Sequence, residues 1–461
     1  MYDLIIKNAQ IPNFRTGTFE SLDIGIKEGI IQALEPKLHE AVTIIDAQHK
    51  VVSPGFVDIH MHEEILFNTE DGDAYDIANR MLLMGATTCV GGNCGNLRQS
   101  IKDFFSYIDQ EGAPVNYIMN TGHNFYRHQL GISPYEKPTP EQVLAMNKSV
   151  TEDLFLQGAH GLSYGIEYSP AIEMDEIMGV LKDLDQYDVL LSAHYRSDAK
   201  EGVEAVAEMI EIARLSGMRF QVSHLGSCTA MGQMEESLEL IRQARAEGLD
   251  IEADCYPYDA FSTRIGTSVF DEGCFENWEK DHSAILLTEE PYKNMRCTPE
   301  LFEKVRREHP DMLVVAFVMN EEEVIKAIKE PYCLVASDGL LARGQGHPRA
   351  AGSFPRVLAR FVREMEVMSL IEALEKMTRL PARRLQLDTK GDIQVGMDAD
   401  FVIFDPETIT DGATFMEPTL PPTGIDYVLI GGRVAVDHGT IVQARLGKAM
   451  RKTHVKNKEA S

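Results

Sequence analysis

From Phe56 onward, short apolar runs bounded by turn residues alternate with longer stretches whose apolar positions recur every three to four residues. This is the rhythm of buried strands followed by amphipathic helices. Eight runs read as strands, at residues 56–62, 86–94, 115–122, 160–167, 189–195, 219–225, 249–256 and 333–338. Helix stop signals fall between them, such as Gly85 before the second run and Gly248 after EESLELIRQARAE. The pattern predicts an α/β protein built on a closed, TIM-like (β/α)8 barrel. The first fifty residues read differently, as short β-rich runs (Leu4 to Lys7, Leu22 to Ile26, Ile30 to Ala33, Thr43 to Asp46), and the text returns to such runs after Gly391 with FVIFD and YVLIGGRVAVD. The two ends are expected to form one small discontinuous β-sandwich domain, 1–53 with 391–450, beside a catalytic barrel of 54–390. Residues 259–332 far exceed the roughly two to six residues of an ordinary βα loop and predict an insertion, a lid over the barrel mouth. The basic end MRKTHVKNKEAS reads as a solvated tail.

With 461 residues and 44% apolar content, the chain can bury such a core. Its net charge of −28 disfavours nucleic-acid phosphates and anionic lipid as partners, leaving a small-molecule substrate as the expected one, and an anionic substrate needs a locally basic pocket. The start, MYDLIIKNAQIPN, lacks a leader pattern, and no apolar run approaches the roughly 20 residues of a membrane span, so a cytoplasmic protein is expected. Seven cysteines without disulfide-like spacing agree with a reducing compartment. Whether the chain forms a homo-oligomer stays open.

His60 and His62 alternate at the C-terminal end of the first strand, where barrel enzymes place their chemistry, so both imidazoles point the same way. A histidine at a strand end is more often structural. His194, His224 and Asp338, however, close the fifth, sixth and eighth strands on the same rim, and ligands converging from separate strands make a metal site. Cys94 ends the second strand within GGNCG, where glycines allow a tight turn and a thiolate is a strong zinc ligand.

On these and other blocks, the chain resembles the N-acyl-D-amino acid deacylase, or D-aminoacylase, branch of the amidohydrolase superfamily. The blocks run nearly end to end: PGFVDIHMH, GGNCG, GHNFYR, GLSYGIEYSP, SAHYR, QVSHLG, DCYPYDAFST, SDG, HPRAAGSFPRVLARFVRE and GDIQVGMDADFVIFDP. The resemblance implies that Cys94, His194 and His224 hold a tightly bound zinc, while His60, His62 and Asp338 form a second, weaker site. Many relatives outside this branch use a carboxylated lysine on strand four. HGLSYGIE has none, so Cys94 takes the bridging role, with Glu167 as the substitute. Tyr256, Ser262 and Arg349 match residues associated with the substrate's α-carboxylate, a task suited to a bidentate guanidinium. Close relatives commonly read SHHK where this chain has Ser223-His224-Leu225-Gly226, so a preference for acidic side chains does not carry over, and Arg264 is the candidate replacement charge.

The implied reaction is zinc-dependent hydrolysis of an N-acyl-D-amino acid to a carboxylate and a free D-amino acid. Asp338 serves as the proton shuttle, and the metal, with His123, steadies the oxyanion. Two rival readings stand beside it. One is another metal-dependent amidohydrolase acting on a cyclic amide, dihydroorotase- or hydantoinase-like, or a deaminase; GNCG and HPR weigh against it. The other is a non-catalytic scaffold, against which the six retained ligand types weigh.

Overall fold

Continuous apolar strands that bury both faces need helices on the outside and parallel neighbours on either side. The computed structural model, which describes residues 1–66 and 74–456, shows this arrangement. Eight strands pair in parallel in chain order: Phe56–Asp58, Ala86–Gly91, Asn116–Gly122, Gly161–Gly165, Leu190–His194, Arg219–Val222, Ile251–Cys255 and Cys333–Val335. The first and last are joined beyond their ends, where Asp338 N donates to His60 O (2.7 Å), His62 N donates to Gly339 O (3.0 Å), and Met61 bridges Gly339 in parallel. The seam that closes the barrel therefore runs through His60, His62 and Asp338.

Several strands stop sooner than their apolar runs suggest. Of the six expected ligands only His194 ends a strand; the others sit in the turns just beyond. The cause is local backbone geometry. Two or three residues past the strand ends at Gly91, Val222 and Val335, residues Cys94, His224 and Asp338 adopt left-handed φ values of 53°, 33° and 49°, which turn the chain out of the extended conformation.

The remaining sheets follow from the two ends and the insertion. A nine-stranded sheet combines Tyr2–Asn13, Thr18–Lys27, Ile30–Glu35, Ala41–Asp46 and Val51–Pro54 with Phe401–Phe404, Ile425–Ile430, Arg433–Asp437 and Thr440–Ile441. Its first two strands are longer than the runs read from sequence, because they pair on past a bulge between Ile6 and Ala9. The insertion carries an antiparallel sheet of Phe261–Arg264, Leu313–Ala316 and Ile285–Leu287 over its own apolar cluster, which includes Phe270, Trp278 and Phe302. Helix Glu321–Lys329 buries Val324, Ala327 and Ile328 in the main barrel core, so it is the barrel's own helix between strands seven and eight rather than part of the insertion.

The tail is not a free solvated end. Gly447 and Ala449 bridge Ala113 and Tyr117, Lys452 Nζ lies 3.2 Å from Asp188 Oδ2, and His454 is buried against Ala159 O at 2.7 Å. Residues 457–461 of that tail lie outside the described part of the chain. Among the described residues no helix is long and apolar enough to cross a membrane.

Candidate metal centre

The GGNCG turn is built so that only glycine fits on either side of Cys94. A Cβ at Gly92 would meet Asn120 O at 2.0 Å, and one at Gly95 would meet Asn124 Oδ1 at 2.0 Å. Glu63 holds the turn from outside, accepting from Gly92 N (2.8 Å) and Arg98 N (2.7 Å), and Asn93 Nδ2 anchors it to Met61 O and Val90 O. The thiol of Cys94 is thereby fixed 3.4 Å from His60 Nε2 and 3.4 Å from His224 Nε2.

Three groups of potential ligand atoms converge here, each within 4.8 Å: His60, His62 and Cys94; Cys94, His194 and His224; His60, His224 and Asp338. The outer nitrogen of each of three rings is already engaged by an acceptor. His60 Nδ1 lies 3.1 Å from Asp254 Oδ1, and His194 Nε2 lies 2.7 Å from Glu167 Oε2. His224 Nδ1 lies 2.8 Å from Ser227 Oγ, whose own proton goes to His224 O while it accepts from Tyr195. Carboxylates only accept, and the Ser227 proton is committed, so each outer nitrogen carries the hydrogen and each inner nitrogen offers a lone pair to the centre.

Electrostatics favour the same outcome. Burial resists ionisation of Cys94, but the neighbouring His60 and His224 overcome it and hold the thiol well below its ordinary value. Burial likewise resists charge on His194, while hydrogen bonds to Cys94 and Glu167 raise the ring to about 9. A cation bound here displaces that proton. Asp338 is disfavoured as an anion by burial, yet the charges of Arg349 and His224 keep its carboxyl well below the usual range. A thiolate, three imidazole lone pairs and a carboxylate, with left-handed backbone at three of those residues, form a donor set that suits zinc.

Beside the centre lies a cavity of about 300 Å³, lined among others by Tyr168, Ser262, Arg264 and Arg349. Arg349 is 2% exposed; its Nη1 lies 2.9 Å from Asp338 Oδ2, and its Nη2 donates to Ser262 O at 3.0 Å. The hydroxyl of Ser262 has no partner among the described residues.

Over this fold and geometry, the amidohydrolase family model matches residues 332–436. The chain is 30% identical to the N-acyl-D-glutamate deacylase of Alcaligenes xylosoxydans xylosoxydans over 93% of each chain. It belongs to the N-acyl-D-amino acid deacylase branch of the amidohydrolases. The N-acyl-D-glutamate deacylase of Bordetella bronchiseptica, solved with zinc and a phosphonate inhibitor, superposes on this deacylase-branch chain with a TM-score of 0.86. That structure is 29% identical, with 98% of this chain and 99% of the other covered. A D-aminoacylase with a binuclear metal centre gives the same TM-score at 25% identity, over 98% and 100% of the two chains. The chain is thus a metal-dependent amidohydrolase by family.

Not every residue singled out from sequence reaches the centre. His123 is fully buried, packed at a tilt against Tyr164 at 4.8 Å and paired with Glu176 Oε1 at 3.1 Å; burial pushes its ring below its ordinary value. It is not among the residues that line the cavity, and its Nε2 faces Glu176 instead. Tyr256 is also absent from the cavity lining, and its ring lies 4.7 Å from the Arg349 guanidinium. Glu167 pairs with His194 and joins none of the convergent donor groups. Arg264 lines the cavity but pairs with Asp311 on the surface at 2.8 Å. Asp254 and Ser227 were missed. Asp254 obeys the strand-end rule that found Asp338, and Ser227 stands three residues beyond His224, so a search for acceptors near each ligand would have found both.

Proposed function

We propose that this chain hydrolyses the amide bond of N-acyl-D-amino acids, releasing a carboxylate and a free D-amino acid. Cys94, His194 and His224 hold one zinc tightly, and His60, His62 and Asp338 bound a weaker second position. The observation that carries the reading is the convergence of three imidazole lone pairs on the Cys94 thiolate, beside a carboxylate that an arginine keeps ionised, at one cavity wall. Zinc bound there supplies a Lewis acid for the acyl carbonyl and lowers the pKa of water towards about 7.

Asp338, buried and held as an anion, takes the proton of the attacking water and returns it to the leaving amine. Arg349 has both arms of its fork engaged, one on Asp338 and one on Ser262 O. A substrate α-carboxylate therefore exchanges with Asp338 at Nη1, the unpartnered Ser262 hydroxyl serving as a second donor, and its arrival frees Asp338 for proton transfer. The D configuration and the linear amide are taken over from the relatives, an N-acyl-D-glutamate deacylase, an N-acyl-D-aspartate deacylase and a D-aminoacylase.

The test is to supply N-acetyl and N-formyl D- and L-amino acids, with hydantoins and dihydroorotate alongside, to zinc-loaded protein and to measure the amine released. Zinc-dependent release from the D series is expected. Release confined to the L series, or ring opening alone, contradicts the reading.

A further inference from the structure

We infer that Asp254 is a positioning residue that locks His60 to His224 and so sets the spacing of the two metal positions; this rests on reading the cluster as a metal centre. Asp254 lies near the end of the seventh barrel strand, 1% exposed. It neither lines the cavity nor belongs to any convergent donor group, so it touches neither substrate nor metal. Three hydrogen bonds hold its carboxylate. Oδ1 accepts from the His60 ring (3.1 Å) and from the backbone N of His224 (2.8 Å), and Oδ2 accepts from Gln221 Nε2 (3.1 Å).

Glu167 and Ser227 each secure a single histidine ring from behind. Asp254 does something different, because one oxygen joins residues that follow two different strands and that the proposed function assigns to different positions. On the cavity side Cys94 spans the same pair, with Sγ 3.4 Å from each ring. Cys94, His60, Asp254 and His224 thus form a closed ring of contacts, and the two histidines cannot separate without breaking it. The bond to the His224 amide also pins a residue at φ 33°, a left-handed conformation that persists only where its surroundings impose it. Without Asp254 the His60 ring loses the acceptor that keeps its hydrogen on Nδ1, and the His224 backbone loses the bond that holds its turn.

The experiment compares metal-free wild-type protein with Asp254→Ala and Asp254→Asn. Zinc is titrated against a competing chromophoric chelator, and the cobalt-substituted absorption spectrum is recorded beside it. Removing outer partners of metal ligands typically costs about 10–100-fold in metal affinity, and the alanine variant is expected to lose that much at both positions. The asparagine keeps an oxygen for the His224 amide but no charge behind His60. It should bind the tight zinc within a few-fold of wild type and lose about tenfold at the weak position, with a shifted cobalt spectrum.

Wild-type affinity and spectrum in the folded variants overturn the role assigned to Asp254. If the alanine variant does not fold, wild-type behaviour of the asparagine variant at the weak position overturns it alone. A wild-type protein that binds no zinc overturns the metal-centre reading itself, and this inference with it.

Discussion

Replacing Cys94 with alanine removes the only thiolate of the cluster and a member of two of the convergent donor groups, so it should affect the tight and the weak metal position together. The size of the loss follows from the number of ligands. A structural zinc site is worth roughly 10–16 kcal/mol at neutral pH, spread over about four ligands, so one ligand carries about 2.5–4 kcal/mol. That corresponds to on the order of 10²–10³ in the dissociation constant. The loss should exceed this average, since a thiolate contributes charge that a methyl group cannot replace. Folding should survive. Alanine accepts the same backbone geometry about as well as cysteine, and deleting one buried sulfur costs about 1 kcal/mol. The assay is metal analysis of purified wild-type and Cys94→Ala protein after exhaustive dialysis, followed by chelator competition. An alanine variant that retains wild-type zinc and turnover would refute the reasoning, and Cys94 would then be an ordinary buried thiol.

Asp338→Asn should keep zinc at Cys94, His194 and His224 while kcat falls by about 10²–10⁴, the usual contribution of general acid–base catalysis; turnover within a few-fold of wild type removes Asp338 from proton transfer. His123→Ala should lower stability by about 2–3 kcal/mol, through the lost Glu176 pairing and ring packing, yet leave kcat/KM unchanged below the melting temperature; a large loss of kcat/KM in folded protein would return His123 to the site. His160 supplies a pH signature, since burial and then the charge of Lys452 push its ring down to about 3 from an ordinary 6.5. The folded state therefore disfavours the protonated ring that the unfolded chain accepts, so this contribution is complete above pH 6.5 and is lost as pH falls from there towards 3. Metal-free protein should lose up to a few kcal/mol from this residue over that range, and His160→Gln should flatten the dependence measured by urea unfolding. Parallel pH curves for the two proteins would contradict it.

The convergence of these side chains was legible because barrel topology forces strand ends onto one rim, so a histidine or acid at that position already has its place in space. His123 shows the limit of that rule. It too follows a strand end, but Glu176, well down the chain, captures its ring, and no local pattern announces such a pairing. The fine structure of the site was also hidden. That Cys94, His224 and Asp338 take left-handed backbone, and that Arg349 spends its fork on Asp338 and Ser262, depends on contacts between residues far apart in sequence. The insertion was misjudged at its far edge because Glu321–Lys329 reads as an amphipathic helix that either body could own; burial of Val324 and Ile328 in the barrel decides it. The basic tail was read as solvated from its charge, yet Lys452 and His454 find Asp188, an acid invisible at that distance in the text.

The most direct test of the metal centre is anomalous diffraction at the zinc absorption edge from crystals of zinc-loaded protein. A strong peak is expected among Cys94 Sγ, His194 Nδ1 and His224 Nε2, with any second, weaker peak between Cys94, His60, His62 and Asp338. Zinc bound to the protein with no peak at this cluster would contradict the account.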